Sequence, residues 1–339
     1  MAVDALTPND PRVEHKYASV GGYTYHYMLA KPEGTPTATI FLIHGWPDLA
    51  MGWRFQVPFL LSLGLQVVVP DMLGYGQTSA PDAPEEYTFK KMTGHMAAII
   101  KEVTDQPIIL GGHDWGGFFI WRMTNYYPEL IRAVFSICVP YMPPTPVKIS
   151  LEQFAEKMPN FRYQLHLASG EAEKMIDKST ERLRGFLNGM YGGTTADGGR
   201  VFSTDTGIIE ENLDKIRPSP LVGAAMVEHY VREYSRNGLH GPCNWYRTRE
   251  LNADDEVPIA GDDRFKRFAM PAMLIMAELD AALPPWLADG QEKYFEGGLK
   301  KEVIPGASHW AMVQKPEDTN SFIGEFVKSV LDGDSKASL

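Results

Sequence analysis

The sequence predicts an α/β fold: a mostly parallel β-sheet covered by helices on both faces and interrupted by a helical insertion. Three observations carry this. Short, continuously apolar runs rich in β-branched residues alternate with longer helical patterns over the first 140 residues, and again near the end of the chain. A strand that is apolar throughout is buried on both sides, as a parallel strand between two helix layers is. Between about Tyr141 and Asp255 the alternation stops and only helical patterns remain.

The elements follow in chain order. Residues 23–29 alternate apolar with polar and follow Gly21-Gly22, which predicts an antiparallel hairpin at the sheet edge. Residues 39–43 and 66–69 read as the first two buried strands, and residues 107–110 and 133–137 as the next two. The Pro-rich run from Pro140 to Pro146 opens the insertion. Within it, residues 152–158, 170–188, 210–215 and 220–235 are predicted helices, with a Gly-rich loop over 189–199 and no buried strand. Residues 272–276 and 301–304 resume the sheet. The expected division is a core built from 1–140 and 256–339 around a helical lid at 141–255.

Composition removes several functions. The chain has 339 residues, 44% of them apolar, which suffices for a large core. Its net charge of −11, with no basic run, suits neither nucleic acid nor an anionic membrane. No apolar stretch approaches the ~18 residues that span a bilayer. Residues 1–12 are polar and carry two prolines, unlike a signal peptide. The C-terminal Ala337-Ser338-Leu339 lacks the basic middle residue of a peroxisomal address, so the expected location is cytoplasmic. Two cysteines, Cys138 and Cys243, make neither a disulfide framework nor a zinc site, and read as buried thiols in a reducing compartment. No metal-binding or phosphate-loop motif occurs, and His15, His26, His95, His113, His166, His229 and His240 lack ligand spacing. No metal and no cofactor is expected.

The strongest chemical signal is Gly112-His113-Asp114-Trp115-Gly116, between the strand at 108–110 and a helical pattern at 117–127. This is the strand–turn–helix setting of a nucleophile elbow, with Asp where Ser usually stands. The competing assignment is an Asp that caps the following helix. A serine needs a base to lose its proton, whereas a carboxylate is already ionised at neutral pH. A carboxylate displaces a leaving group at saturated carbon and leaves an ester of the enzyme, which water activated by a His can then hydrolyse.

That His should follow the last strand, where Gly306-Ala-Ser-His309-Trp310 lies. The acid partner should follow an earlier strand, and Ala277-Glu278-Leu279-Asp280 offers Asp280, with Glu278 as its rival. The order Asp114, Asp280, His309 is nucleophile, acid, base. His44-Gly45-Trp46-Pro47 follows the strand at 39–43. The backbone N–H groups of Trp46 and Trp115 are expected to form an oxyanion hole for ester hydrolysis. His44 is expected to hold its turn, Pro47 to follow a cis bond, and Asp71 to brace neighbouring turns. Trp115 and Pro47 are expected beside the substrate.

Taken together, His44-Gly-Trp-Pro47, Gly112-His-Asp-Trp-Gly-Gly117, Ala277-Glu-Leu-Asp280 and His309-Trp310 resemble the soluble epoxide hydrolases of the α/β-hydrolase superfamily. The resemblance covers about 13–327, without the N-terminal phosphatase domain of two-domain relatives. It implies the α/β-hydrolase fold and assigns two lid tyrosines, in Arg162-Tyr163-Gln-Leu165 and Gly241-Pro-Cys-Asn-Trp-Tyr246-Arg247, as acids for the epoxide oxygen. A phenol can serve so, because ring opening generates an alkoxide and a phenol is protonated at neutral pH. The implied reaction converts an epoxide and water to a vicinal diol. A lid rich in aromatic and Met residues suggests a small, uncharged, largely apolar epoxide. Two alternatives share the fold. A haloalkane-type dehalogenase uses the same Asp, but typically with Asn at the position of Trp46. A non-catalytic α/β-hydrolase-fold binding protein would not need an intact Asp114, Asp280 and His309.

Overall fold

The computed structural model describes residues 3–337, so Ser338 and Leu339 of the C-terminal tripeptide, and the first two residues, lie outside the described residues. In chain order the strands are β1 (Glu14–Val20), β2 (Tyr23–Ala30), β3 (Ala38–Ile43), β4 (Leu65–Pro70), β5 (Ile108–His113) and β6 (Ile131–Ile137). They continue as β7 (Phe202–Ser203), β8 (Gly207–Ile208), β9 (Ala272–Ala277) and β10 (Leu299–Ile304). Eight of them form one sheet in the order β1-β2-β4-β3-β5-β6-β9-β10. β1 and β2 pair antiparallel with Val20 opposite Tyr23, so Gly21-Gly22 is a two-residue turn, and β2 is antiparallel to β4. All further pairs are parallel.

Burial follows position in the sheet. Every residue of β4, β5 and β9 is buried, whereas the edge strand β1 is largely exposed and the edge strand β10 is mostly half-buried. The alternation expected over 23–29 is not kept, because β1 takes the edge and β2 is buried from Tyr25 onward. Helices cover both faces. Phe89–Val103 packs on Trp115–Tyr126, and Gln56–Ser62 packs on Pro316–Ala337. Thr88 caps the first of these by accepting from the Lys91 N–H.

Between β6 and β9 the chain is mainly helical. The helix expected over 170–188 is two helices, Glu171–Ile176 and Thr180–Met190, because Ser179 caps the second through the Arg182 N–H. The expected absence of strands there is corrected by the short β7–β8 hairpin, too short to show a hydrophobic pattern. The helices Tyr163–Ala168 and His240–Arg247 were not read from periodicity, and each is only two turns or so. Arg247 ties them together, with Nε donating to the Ala168 carbonyl at 2.9 Å and Nη2 to Glu173 at 2.8 Å. Arg122 on Trp115–Tyr126 grips Glu256, the last residue of helix Arg249–Glu256 that leads out of the insertion, through two bonds of 2.6 and 2.9 Å. Among the described residues, no helix is long and apolar enough to cross a membrane.

Candidate active site

The loops that carry His44, Asp71, Asp114, Asp280 and His309 all leave the C-terminal ends of parallel strands, where open α/β sheets place their ligand crevice. Asp114 stands between β5 and helix Trp115–Tyr126 with φ of 53° and ψ of −123°. Its side chain makes no capping bond to that helix, so the capping assignment fails. The turn is tight enough that a Cβ on Gly116 would lie 2.2 Å from the Ile43 carbonyl oxygen. A Cβ on Gly45 would lie 2.4 Å from the Cβ of Asp114, so only glycine lets the 44–47 loop reach the carboxylate.

That approach sets how Asp114 is held. The Trp46 N–H donates to Asp114 Oδ1 at 2.7 Å. Burial raises the Asp114 pKa above the usual carboxylate range, while His309 and the N–H groups of Trp46 and Trp115 pull it down. The other oxygen, Oδ2, lies 3.6 Å from His309 Nε2, beyond a direct hydrogen bond. His309 Nδ1 donates to Asp280 Oδ2 at 2.8 Å, and Asp280 Oδ1 accepts the N–H groups of Ala282 and Leu283. Burial opposes a charge on His309, but Asp280, Asp114 and Asp48 outweigh it and raise its pKa to about 9. Burial likewise opposes charge on Asp280, yet His309 and the two N–H donors hold it down at about 2. Glu278 is elsewhere: it is exposed and accepts the Gly306 N–H at 2.7 Å, bracing the turn before His309.

Tyr163 and Tyr246 meet over this group, with ring centroids 6.1 Å apart. Both are buried, which together with the nearby Asp114 charge raises their pKa well above the phenol range and keeps them protonated. Their helices place them: Tyr163 N–H donates to the Thr204 carbonyl, and the neighbouring Trp245 indole donates to the Leu73 carbonyl of the core. Trp46, Asp114, Asp280, His309 and both tyrosines line one cavity of about 570 Å³.

His44 fills the role expected of it: Nε2 accepts the Met72 N–H at 3.0 Å and Nδ1 donates to the Gly45 carbonyl at 2.9 Å. Asp71 braces two turns, accepting from His26 at 2.7 Å and from the Ala50 N–H at 3.0 Å. The Trp46–Pro47 bond is cis. Trp115 and Pro47, expected beside the substrate, are not among the residues that line this cavity. Trp115 instead packs edge-on behind Tyr246, at 5.1 Å. The lining is supplied by the Gly-rich loop and the β7–β8 hairpin, including Met190, Arg200, Phe202 and Thr204.

Two groups were missed by sequence reasoning. His113 Nε2 donates to the His309 carbonyl at 2.8 Å, and burial with the nearby His309 drops its pKa to about 3, so it is neutral. Asp48, fully buried, accepts the phenols of Tyr191 and Tyr230, and its carbonyl accepts Tyr234 at 3.0 Å. Tyr191 packs against Trp310 with ring centroids 4.2 Å apart and tilted by 31°, next to His309. Only the one-turn spacing of Tyr230 and Tyr234 hinted at this cluster. His113, Cys138 and His309 place their ligand atoms within 4.8 Å of one another. His113 Nε2 and Cys138 Sγ point at the His309 carbonyl and His309 Nδ1 at Asp280, which leaves one ring nitrogen of each histidine outside these bonds. A separate cavity of about 340 Å³, bordered by His15, His229 and Arg232, contains none of these groups.

Residues 38–316 match the family described as alpha/beta hydrolase fold. Epoxide hydrolase srdG of Neurospora crassa is 52% identical, over 98% of this chain and 100% of that protein. Bifunctional epoxide hydrolase 2 of Rattus norvegicus is 30% identical over 98% of this chain, which spans 58% of the rat protein. The crystal structure of epoxide hydrolase A from Mycobacterium thermoresistibile superposes with a TM-score of 0.79 at 25% identity, covering 93% of this chain and 98% of that one.

Proposed function

The chain belongs to the α/β-hydrolase fold family, among its epoxide hydrolases, and from that premise we propose that it opens an epoxide through an ester formed on Asp114. The observation that carries this is the division of labour on one carboxylate. Oδ1 is held by the Trp46 N–H, Oδ2 lies 3.6 Å from His309 Nε2, and Asp114 lines the cavity that Tyr163 and Tyr246 share. Oδ2 attacks an epoxide carbon as the carbon–oxygen bond breaks. A phenol gives its proton to the departing oxygen, which is a stronger base than the phenolate left behind.

The second half uses the other groups. His309 takes a proton from water, and the hydroxide formed attacks the ester carbonyl carbon. Negative charge then develops on Oδ1, where the N–H groups of Trp46 and Trp115 receive it. Asp280 keeps His309 in the tautomer that presents Nε2 and stabilises the imidazolium. Collapse releases the second hydroxyl of the diol, protonated by His309, and leaves Asp114 as a carboxylic acid, whose proton returns to the phenolate and restores both groups. No cofactor or metal enters these steps.

Residues 141–255 act as the lid over a core made of 1–140 and 256–339, and the lid brings both phenols. The substrate is an epoxide on a small, largely apolar body. Cys138 and Cys243 are buried free thiols, which fits the reducing cytoplasm. The test is a single turnover with excess enzyme in heavy-oxygen water. The diol should emerge unlabelled, with the label in Asp114. A labelled diol would mean that water attacks the epoxide directly.

A further inference from the structure

Helix His240–Arg247 carries Tyr246, one of the two phenols of the cavity, and is clamped at both ends. At its last residue, Arg247 Nη2 donates to Glu173 Oε2 at 2.8 Å. At its first residue, His240 Nδ1 faces Glu173 Oε1 at 2.9 Å, and His240 Nε2 faces the Asp82 carbonyl oxygen at 3.0 Å. Glu173 belongs to the insertion and Asp82 to the core, so this one ring joins the two. Asn244, one turn along, donates Nδ2 to the same Asp82 carbonyl at 3.0 Å. The helix is also pressed onto the core: a Cβ on Gly241 would lie 2.7 Å from the Cα of Gly74.

The two partners of His240 fix its charge. A carboxylate oxygen and a carbonyl oxygen are both acceptors, so each ring nitrogen must carry a hydrogen. A neutral imidazole has only one, and would turn a lone pair on one of the two oxygens. The geometry is therefore that of an imidazolium. On the insertion side, Glu173 and Asp177 favour the charge and Arg247 opposes it. Arg247 Nη1 lies 3.4 Å from His240 Nδ1 but makes its short bond, 2.7 Å, to Asn244 Oδ1. Tyr87 of the core, beside Gly241, and Cys243, beside Glu173, are kept protonated by burial. Burial of the ring opposes the charge, but Glu173 and the Asp82 carbonyl outweigh it and raise the His240 pKa above the usual histidine range.

We propose that His240 is a positioning residue for epoxide opening, a charged clasp that holds Tyr246 in place and lets go as pH rises. When the ring loses a proton, the carboxylate, as the stronger acceptor, keeps the hydrogen on Nδ1. The proton released is the one on Nε2, so the bond lost is the one that ties the insertion to the core. Tyr246 sits near the far end of the same eight-residue helix and shifts with it. Because the pKa is raised, the clasp is complete at low pH and is lost as pH rises through that value. This rests on the roles given to Asp114 and Tyr246 above.

The test follows the rate of alkylation at saturating epoxide against pH, by stopped-flow Trp fluorescence. In wild type the rate should rise as Asp114 ionises and then fall about fivefold on the alkaline side, the scale of one hydrogen bond. His240→Gln should show the lower rate with no alkaline fall. His240→Arg, charged throughout, should keep the higher rate, again with no fall. A role in folding alone would not remove the fall in both. The same alkaline fall in His240→Gln as in wild type overturns the proposal. Nitrogen NMR of the wild-type protein decides the charge separately, with the His240 signals assigned by their loss in His240→Gln. At about pH 6.5, where an ordinary histidine is half neutral, both ring nitrogens of His240 should carry hydrogen. A half-neutral ring there also overturns the proposal. Wild type that forms no ester would count against the Asp114 reading, and the NMR result would still decide His240.

Discussion

Asp114 and His309 stand 3.6 Å apart, and the charge on one sets the proton affinity of the other. In the free enzyme Asp114, Asp280 and Asp48 together raise the His309 pKa to about 9, against the effect of burial. Esterification removes the Asp114 charge, so the His309 pKa falls when a neutral base is needed. Neutral His309 exists above its pKa, so breakdown of the ester should speed up as pH rises, with a midpoint below about 9. Alkylation needs ionised Asp114, whose pKa burial has raised, and should be lost as pH falls through that value. Stopped-flow Trp fluorescence can separate the two limbs, and ester breakdown that ignores pH would contradict the base assigned. Asp114→Ala should lose at least about 10⁴-fold in turnover, as removal of a catalytic triad member does. Asp114→Asn should recover slowly if its amide is hydrolysed. His309→Gln should accumulate protein heavier by one substrate in an intact mass spectrum, and an inactive but unalkylated variant would place His309 earlier in the reaction.

At the scale of elements, two short helices and one hairpin decide where the phenols point. Phe202 of β7 packs edge-on against Tyr163 at 5.1 Å, and Trp46 does the same to Tyr246 at 5.4 Å. Tyr163→Phe and Tyr246→Phe should each slow alkylation, and the double variant should lose ~10²–10⁴-fold, the worth of general acid catalysis. Hydrolysis of ester already formed should change little. Wild-type alkylation in the double variant would remove the phenols from the mechanism. Helices Thr180–Met190 and Ala224–Tyr234 meet the core at Asp48 through Tyr191, Tyr230 and Tyr234. Asp48 is fully buried, so Tyr191→Phe or Tyr230→Phe leaves a polar group short of a partner. Each should cost about 1–3 kcal/mol in urea unfolding. An unshifted midpoint would show that the phenols do not hold the lid down.

Across the whole molecule, the sheet supplies rigid strand ends and the insertion supplies the roof, so the reaction depends on how firmly the two are joined. The Arg122–Glu256 pair is one such joint, with both side chains mostly buried and two bonds between them. Arg122→Ala leaves the Glu256 carboxylate without its cation and should destabilise the protein by about 3–5 kcal/mol. Arg122→Met, which keeps much of the volume, should lose nearly as much, because the stranded charge and not the lost packing is the main cost. Thermal unfolding of the two variants measures this, and a wild-type midpoint in both would make the joint unimportant. The same joining explains why the site is buried although its groups come from loops.

What the sequence determined by itself is local. Apolar runs at 39–43, 66–69, 107–110, 133–137 and 272–276 read as buried strands, and the glycines around Asp114 as a sharp turn. The chain order of Asp114, Asp280 and His309 is also written in sequence, and the motifs around Tyr163 and Tyr246 were recognisable through resemblance. The tertiary structure decided what depends on residues far apart in the chain. Glu278 and Asp280 are two positions apart and chemically alike, and only the loop path turns Asp280 towards His309 and Glu278 towards Gly306. Asp48 meets Tyr191 and Tyr230 across 143 and 182 residues, a distance over which no periodicity carries information. Arg200 reads in sequence as one more charge beside a Gly-rich loop. Its place in the cavity lining follows from how the β7–β8 hairpin meets Tyr163, because contacts between distant segments are set by packing of the whole chain.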